Sequence, residues 1–173
     1  GWSPFIGMQM QYSLVERSVE RELLPMGREL GVGMQAWSPL AGGFLSGKYG
    51  RVEAGSNASI DQTLRMATSK NRVNERNLGI LKVVQAVAKE TGRSEAQVAI
   101  RWVLQKPGVN GVVFGARTIE QLDDNLALAT FELTAEQMAR LDDASKPDLG
   151  YPHSYLGSPT INKFLYGGAN IKY

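Results

Sequence analysis

Three short apolar runs, residues 5–11, 33–37 and 111–114, punctuate the chain, and amphipathic segments of helical period lie between and after them. Runs of this length bounded by Gly, Pro and Ser have the size and setting of β-strands. The first (FIGMQMQ) carries glutamines near its end, and the second is closed by Ser38-Pro39. Residues 12–24 connect them onward with some helical character; Pro25 suits the first turn of a helix that runs to about Leu30 and stops at Gly31. From about Asn74 to Glu90, Leu78, Leu81, Val84, Val87 and Ala88 recur at helical spacing, and Thr91-Gly92 ends the segment. Ser94 and Gln97 have the spacing of a capping box, which opens a helix over 95–105 that buries Val98, Ile100, Trp102 and Val103. Another helix, 119–128, follows the last strand, and Thr134 with Gln137 caps one more that reaches about Asp143. The tail from Lys146 is rich in Gly, Pro and Tyr without periodicity, so residues 146–173 are expected to be irregular.

The order is strand, helix, strand, long loop, two helices, strand, two helices. Strands separated by helical crossovers imply a parallel sheet with helices outside it, an α/β fold. Three parallel strands are few for such a core, and they leave two exposed edges. The chain opens on Gly1 rather than Met and enters a strand almost at once, so it is expected to be part of something longer, the last portion of a single barrel. The loop after the second strand holds four glycines among residues 41–50 and continues to about Ser69 without clear periodicity. A loop of that length in a compact domain is usually functional or disordered.

Residues 111–126 combine a strand, a glycine, a basic residue and a helix start in that order. Val112–Phe114 is short enough for a buried strand, Gly115 gives a turn, and Thr118 with Gln121 has the form of a capping box. Free N–H groups and the positive end of the helix dipole would point beyond the strand, and Arg117 adds a guanidinium fork suited to phosphate. Gln121, Asp124 and Asn125 share one helix face, beside which a purine would fit. The same residues also fit an ordinary strand–turn–helix with a solvated Arg, and the local pattern favours neither.

Composition narrows the chemistry. With 43% hydrophobic and 21% charged residues the chain has the make-up of a soluble globular domain. Its net charge is only +2, with both signs mixed along the sequence, which gives no case for a nucleic-acid or membrane partner. No apolar stretch approaches the roughly 20 residues of a membrane span. Zero cysteines exclude disulfides, thiol catalysis and thiolate metal sites, and fit a cytoplasmic protein. The single histidine, His153, has no partner at ligand spacing, so neither a metal site nor a Ser-His-Asp triad is expected.

Three segments taken together, Gln9–Leu14 (QMQYSL), 37–49 (WSPLAGGFLSGKY) and Gly115–Asn125 (GARTIEQLDDN), resemble the aldo-keto reductase family, most closely its bacterial reductases and the potassium-channel β-subunits. The resemblance implies a TIM-type (β/α)8 barrel that binds NADP(H), of which this chain looks like the sixth, seventh and eighth strands with their helices. Sites in such barrels lie at the C-terminal ends of strands, where all three segments fall. By resemblance, Gln9 would hydrogen-bond the nicotinamide carboxamide and Trp37 would stack on the nicotinamide ring. Ser38, Leu40, Gly43 and Lys48 would wrap the pyrophosphate, the small residues allowing close backbone approach and Lys48 supplying charge. Gly115, Arg117 and Gln121 would hold the ribose 2′-phosphate, with Asp124 and Asn125 on the adenine side.

Other readings stand beside these. Trp37 also fits a core aromatic at a strand end, and Gln9 a satisfied polar group inside a barrel. Trp2 and Trp102 are read as packing residues, the Ser94 and Thr134 boxes as helix caps and nothing more. Arg65, Lys70, Arg72 and Arg76 form a basic run, read as a solvated face or as a lid touching cofactor phosphate. The family's proton relay, a Tyr with its Lys, Asp and His, comes from the first four strands, none of which matches this chain. No catalytic residue is assigned here, and the chain alone is not expected to turn over. The resemblance then implies an NADPH-dependent reductase of aldehydes or ketones, with the rest of the barrel or another copy of the chain as partner. The alternatives are a cofactor-sensing subunit like the channel β-subunits, or a non-catalytic half-barrel. Gly115-Ala-Arg-Thr118 follows the bacterial pattern and favours the enzyme.

Overall fold

Met34 and Ala36 are completely buried while Gln35 and Trp37 between and after them face outward, the period-two alternation of a strand with one face on a core. The computed structural model describes residues 1–47 and 72–167. Within them the chain forms β1 (Gly7–Gln11), α1 (Leu23–Leu30), β2 (Gly33–Trp37), α2 (Glu75–Thr91), α3 (Glu95–Leu104), β3 (Val109–Val113), α4 (Ile119–Leu126), α5 (Ala135–Ala144), α6 (His153–Leu156) and α7 (Pro159–Tyr166). The three strands pair in parallel in the order β1-β2-β3, with Gln9 opposite Gln35, Gln11 opposite Trp37, and Trp37 opposite Val113. The α/β reading of the sequence is thus met: one parallel sheet, joined by helical crossovers.

One sheet face makes the core. Met8, Met10, Val109 and Val112 pack with Met34 and Ala36 against Tyr12, Leu14, Phe44, Leu45, Val84, Val87 and Trp102. α2 and α3 supply the helical layer, with Leu81, Val84, Val87, Val98, Val103 and Trp102 turned inward at the spacing seen in the sequence. α5 closes over α2 through Leu141. Helix ends also follow the local signals. Gly31 and Gly92 end α1 and α2 in the left-handed conformation that glycine adopts without a Cβ penalty. Ser94 and Thr134 form complete capping boxes with Gln97 and Gln137. Gly27, inside α1, is held by close approach, since a Cβ there would lie 2.6 Å from Met8 Cε and 2.8 Å from the Val32 carbonyl oxygen.

Several boundaries differ from the sequence reading. β1 starts at Gly7, and Phe5 and Ile6 are 89% and 87% exposed. β3 covers Val109–Val113 rather than 111–114, and Val113 is 41% exposed rather than buried. The reason is a bulge: Met34 faces Val109 and Gln35 faces Gly111, so Asn110 is the extra residue. Its side-chain oxygen accepts the Met34 backbone N–H at 2.9 Å, replacing the ladder bond that the bulge removes. Trp2 packs on nothing among the described residues and is fully exposed. The tail is not irregular throughout, because α6 and α7 form within it, but neither buries a residue, which is why no hydrophobic period announced them.

Candidate cofactor site

Because the strands are parallel, their C-terminal ends lie at one edge of the sheet, and most of the sequence-predicted site residues gather there. β2 ends at Trp37, 40% exposed, on the open face beside Gln11 and Val113. Gln9 is on the same face and donates its side-chain amide to Gln35 Oε1 at 2.7 Å, so the two glutamines make a polar rung across β1 and β2. Lys48 lies outside the described residues, as do Arg65 and Lys70.

After Trp37 the backbone leaves ordinary strand geometry. Ser38 (φ 57°) and Ala41 (φ 53°) occupy the left-handed region without being glycine, and Gly42, Gly43 and Gly47 follow at φ 68°, 92° and 75°. Non-glycine residues held there cost about 1–3 kcal/mol each and persist only where the surroundings impose the conformation. The surroundings are visible. Ala41, Phe44 and Leu45 are completely buried, and the turn is locked by Ala41 N–H to the Ser38 carbonyl (2.9 Å), Gly43 N–H to the Leu40 carbonyl (3.0 Å) and Ser46 Oγ to the Gly43 carbonyl (2.7 Å). The result is a tight glycine-bearing loop, with Leu40 half-buried at its start.

The strand–turn–helix at β3 is built as the sequence reads, with one change. Thr118 caps α4 by accepting the Gln121 N–H at 3.3 Å, but Gln121 Oε1 accepts the Arg117 backbone N–H at 3.0 Å instead of returning to Thr118. The box is half closed, and Gln121 holds the turn that carries Arg117. The Arg117 guanidinium is exposed and pairs with no carboxylate among the described residues. Gly115 is exposed, its φ is not left-handed, and a Cβ there would meet nothing within 4 Å. Glu120, at the helix start, has its carboxyl held below the usual range by its own backbone N–H and by Thr118.

Asp124 and Asn125 take different directions. Asn125 is buried. Asp124 turns its carboxylate to α3, accepting Ser94 Oγ at 2.7 Å and Gln97 Nε2 at 2.9 Å, while its carbonyl accepts Gln97 Nε2 at 2.8 Å. The sequence reading of Ser94 and Gln97 as caps alone missed this; an N-cap hydroxyl carries no signal for a partner thirty residues away.

A sequence profile of the aldo/keto reductase family matches residues 1–146. The chain belongs to the aldo/keto reductase family. Similar proteins include the Bacillus subtilis oxidoreductase YrpG (39% identical over 142 residues, 80% of this chain and 41% of that protein). Versiconal hemiacetal acetate reductase of Aspergillus parasiticus is 32% identical over 155 residues, 88% of this chain and 43% of that protein. A probable aryl-alcohol dehydrogenase of Saccharomyces cerevisiae, AAD4, is 28% identical over 165 residues, 94% of this chain and 49% of that protein. The chain therefore spans less than half the length of each of these relatives. Among the described residues no helix is long and apolar enough to cross a membrane, and no three His, Cys, Asp or Glu side chains gather as metal ligands.

Proposed function

We propose that this chain is the NADPH-gripping end of a reductase of aldehydes or ketones, its three strands being the sixth, seventh and eighth of a (β/α)8 barrel. The observation that carries the reading is Arg117. Its guanidinium has no carboxylate partner among the described residues and stands at the N-terminus of α4, at the same sheet edge as Trp37 and the glycine loop. A cationic fork at the positive end of a helix dipole suits a dianionic phosphate. The open space around Gly115 leaves room for a ligand to approach the backbone. In this reading Gly115, Arg117 and Gln121 hold the 2′-phosphate, and Asn125 lies on the adenine side with Asp124 behind it. Ser38, Leu40, Gly43 and Lys48 surround the pyrophosphate. Trp37 and Gln9 receive the nicotinamide, Gln9 with its amide already oriented by Gln35. When bound, the cofactor supplies the hydride. The proton for the carbonyl oxygen comes from residues that the rest of the barrel contributes, and the open sheet face with Gln9, Gln35 and Trp37 is where that remainder, or a second copy, would close.

The test uses the complete barrel carrying these residues. Arg117→Ala is expected to weaken NADPH by about 1.5–3 kcal/mol while leaving NADH nearly unchanged, because only NADPH has the phosphate. Equal losses for the two cofactors would remove Arg117 from the 2′-phosphate and with it the preference for NADPH. Turnover of an aldehyde by the same protein separates the reductase from a cofactor-sensing subunit.

A further inference from the structure

The first turn of α3 touches both halves of the site without belonging to either. On one side Ser94 and Gln97 hold Asp124 of α4, with three hydrogen bonds of 2.7–2.9 Å. On the other, the Glu95 carboxylate packs on Gly47, the end of the glycine loop, so closely that a Cβ there would lie 2.9 Å from it. The hydrogen-bond directions in this cluster are fixed. Ser94 Oγ accepts the Gln97 N–H at 3.2 Å, which leaves its proton to donate, and Gln97 Oε1 accepts the Ser94 N–H at 3.3 Å, which leaves its amide to donate. Both remaining donors converge on position 124, and a carboxylate, which only accepts, satisfies both. Gln97 is 6% exposed, so the bonds work in a poorly solvated setting where direction counts.

We infer that Ser94 and Gln97, acting through Asp124, are positioning residues for cofactor selectivity: they set where α4 stands and hence where Arg117 and Gln121 meet the 2′-phosphate. This rests on the assignment of Arg117 to that phosphate. Asp124 lies one helical turn beyond Gln121, and Gln121 holds the Arg117 backbone N–H, so the pull from α3 reaches the phosphate site through one short helix. A loss of α4 position costs a ligand only what it gains from α4. NADH, without the phosphate, has only the neutral adenine contact there, whereas NADPH gains its charge-assisted bonds as well.

The experiment measures dissociation constants for NADPH and NADH by calorimetry on the complete barrel protein with Ser94→Ala, Ser94→Thr, Arg117→Ala and the Ser94→Ala/Arg117→Ala pair. Ser94→Ala is expected to raise the NADPH constant about tenfold, the worth of one such hydrogen bond, with NADH within about twofold. Ser94→Thr, which keeps the hydroxyl, restores NADPH binding. In the Arg117→Ala background Ser94→Ala adds distinctly less than it does alone, because the charged group it positions is gone and only Gln121 remains. If Ser94→Ala does not fold, Asp124→Asn replaces it, an isosteric change that sets one amide N–H against the converging donors; the same selective loss is expected. A selective effect of Arg117→Ala combined with an equal loss of both cofactors, or none, on breaking the α3 contact overturns the positioning role alone. Additive losses in the pair do the same. Absence of selectivity in Arg117→Ala itself overturns the phosphate assignment and the inference that depends on it.

Discussion

The Arg17 guanidinium stands 5.1 Å from the centre of the Trp102 ring, joining the connection after β1 to the last turn of α3. Lys106 Nζ lies at the same 5.1 Å from that ring, the Tyr12 ring lies tilted against it at 5.3 Å, and its indole N–H donates to Asp142 at 3.2 Å. Arg17 itself is bound to Glu20 through two nitrogens (2.7 and 2.8 Å), to Ser145 Oγ (2.7 Å) and to the Asp142 carbonyl (3.0 Å). Burial works against its charge, but the hydrogen bonds and charge of Glu20, with Asp142, hold the guanidinium protonated beyond its ordinary value. The cluster fastens the chain after β1 to the end of α5. Arg17→Ala is expected to destabilise the fold by ~3–5 kcal/mol, because it leaves Glu20 partly buried without its cation, whereas Asp142 keeps Lys106 at 2.8 Å. Urea unfolding of the complete protein measures it; a change under ~1 kcal/mol would mean that the cluster is solvated.

Trp37 and Trp102 separate a ligand-facing from a structural tryptophan. Trp37 is 40% exposed on the open face, and Trp102 is fully buried. Binding of NADP⁺ is expected to quench tryptophan emission, and Trp37→Leu to remove most of that quench while Trp102→Leu does not. The reverse pattern would take Trp37 out of the nicotinamide site.

The bulge at Asn110 predicts a coupling between two residues. Gly33 has room for no Cβ, which would lie 2.9 Å from the Asn110 Oδ1 that accepts the Met34 N–H. Asn110→Ala should cost ~1–3 kcal/mol by leaving that N–H unpaired. Gly33→Ala should be costly alone and distinctly less so in the Asn110→Ala background, since the bond it would push aside is already absent. A double-mutant cycle by thermal or urea unfolding reads the difference. Additivity would show that Gly33 is limited by something other than Asn110.

Alkaline stability should depend on Tyr12. Burial, and then the 2.6 Å hydrogen bond to Glu20, push its phenol far above the usual range, so the folded protein keeps it neutral. The unfolded phenol ionises near ~10. A group whose folded value is raised contributes stability that is complete below the unfolded value and is lost as pH rises above it. Stability is therefore expected to decline from about pH 10 upward, and Tyr12→Phe, though ~1 kcal/mol weaker at neutral pH, should decline less steeply. Parallel declines in urea midpoints between pH 8 and 11 would place the phenol in contact with water.

What the sequence determined here is everything settled within a few residues of chain. The apolar faces of α2 and α3 follow a 3.6-residue period, and the caps at Ser94 and Thr134 are bonds between a side chain and backbone three positions on. Such contacts exist as soon as a helix forms, so they are legible before it packs. The order of strands and helices likewise implied the parallel α/β sheet, and the segments around Trp37 and Arg117 carried the family. Only the tertiary structure decided the rest. The extra residue at Asn110 is defined by what lies opposite it on β2, not by its own neighbours in sequence. Gln121 could close its box or hold Arg117 at equal local cost, and the turn after β3 selects the second. Asp124 follows the two donors of α3, and Trp102 acquires its charged surroundings from residues 17, 106 and 142, which the chain brings together only when α5 docks. α6 and α7 bury no side chain, so no apolar stripe records them. For Asn110, Asp124 and Trp102 the deciding partner comes from another segment, and its position is set by packing rather than by any local preference.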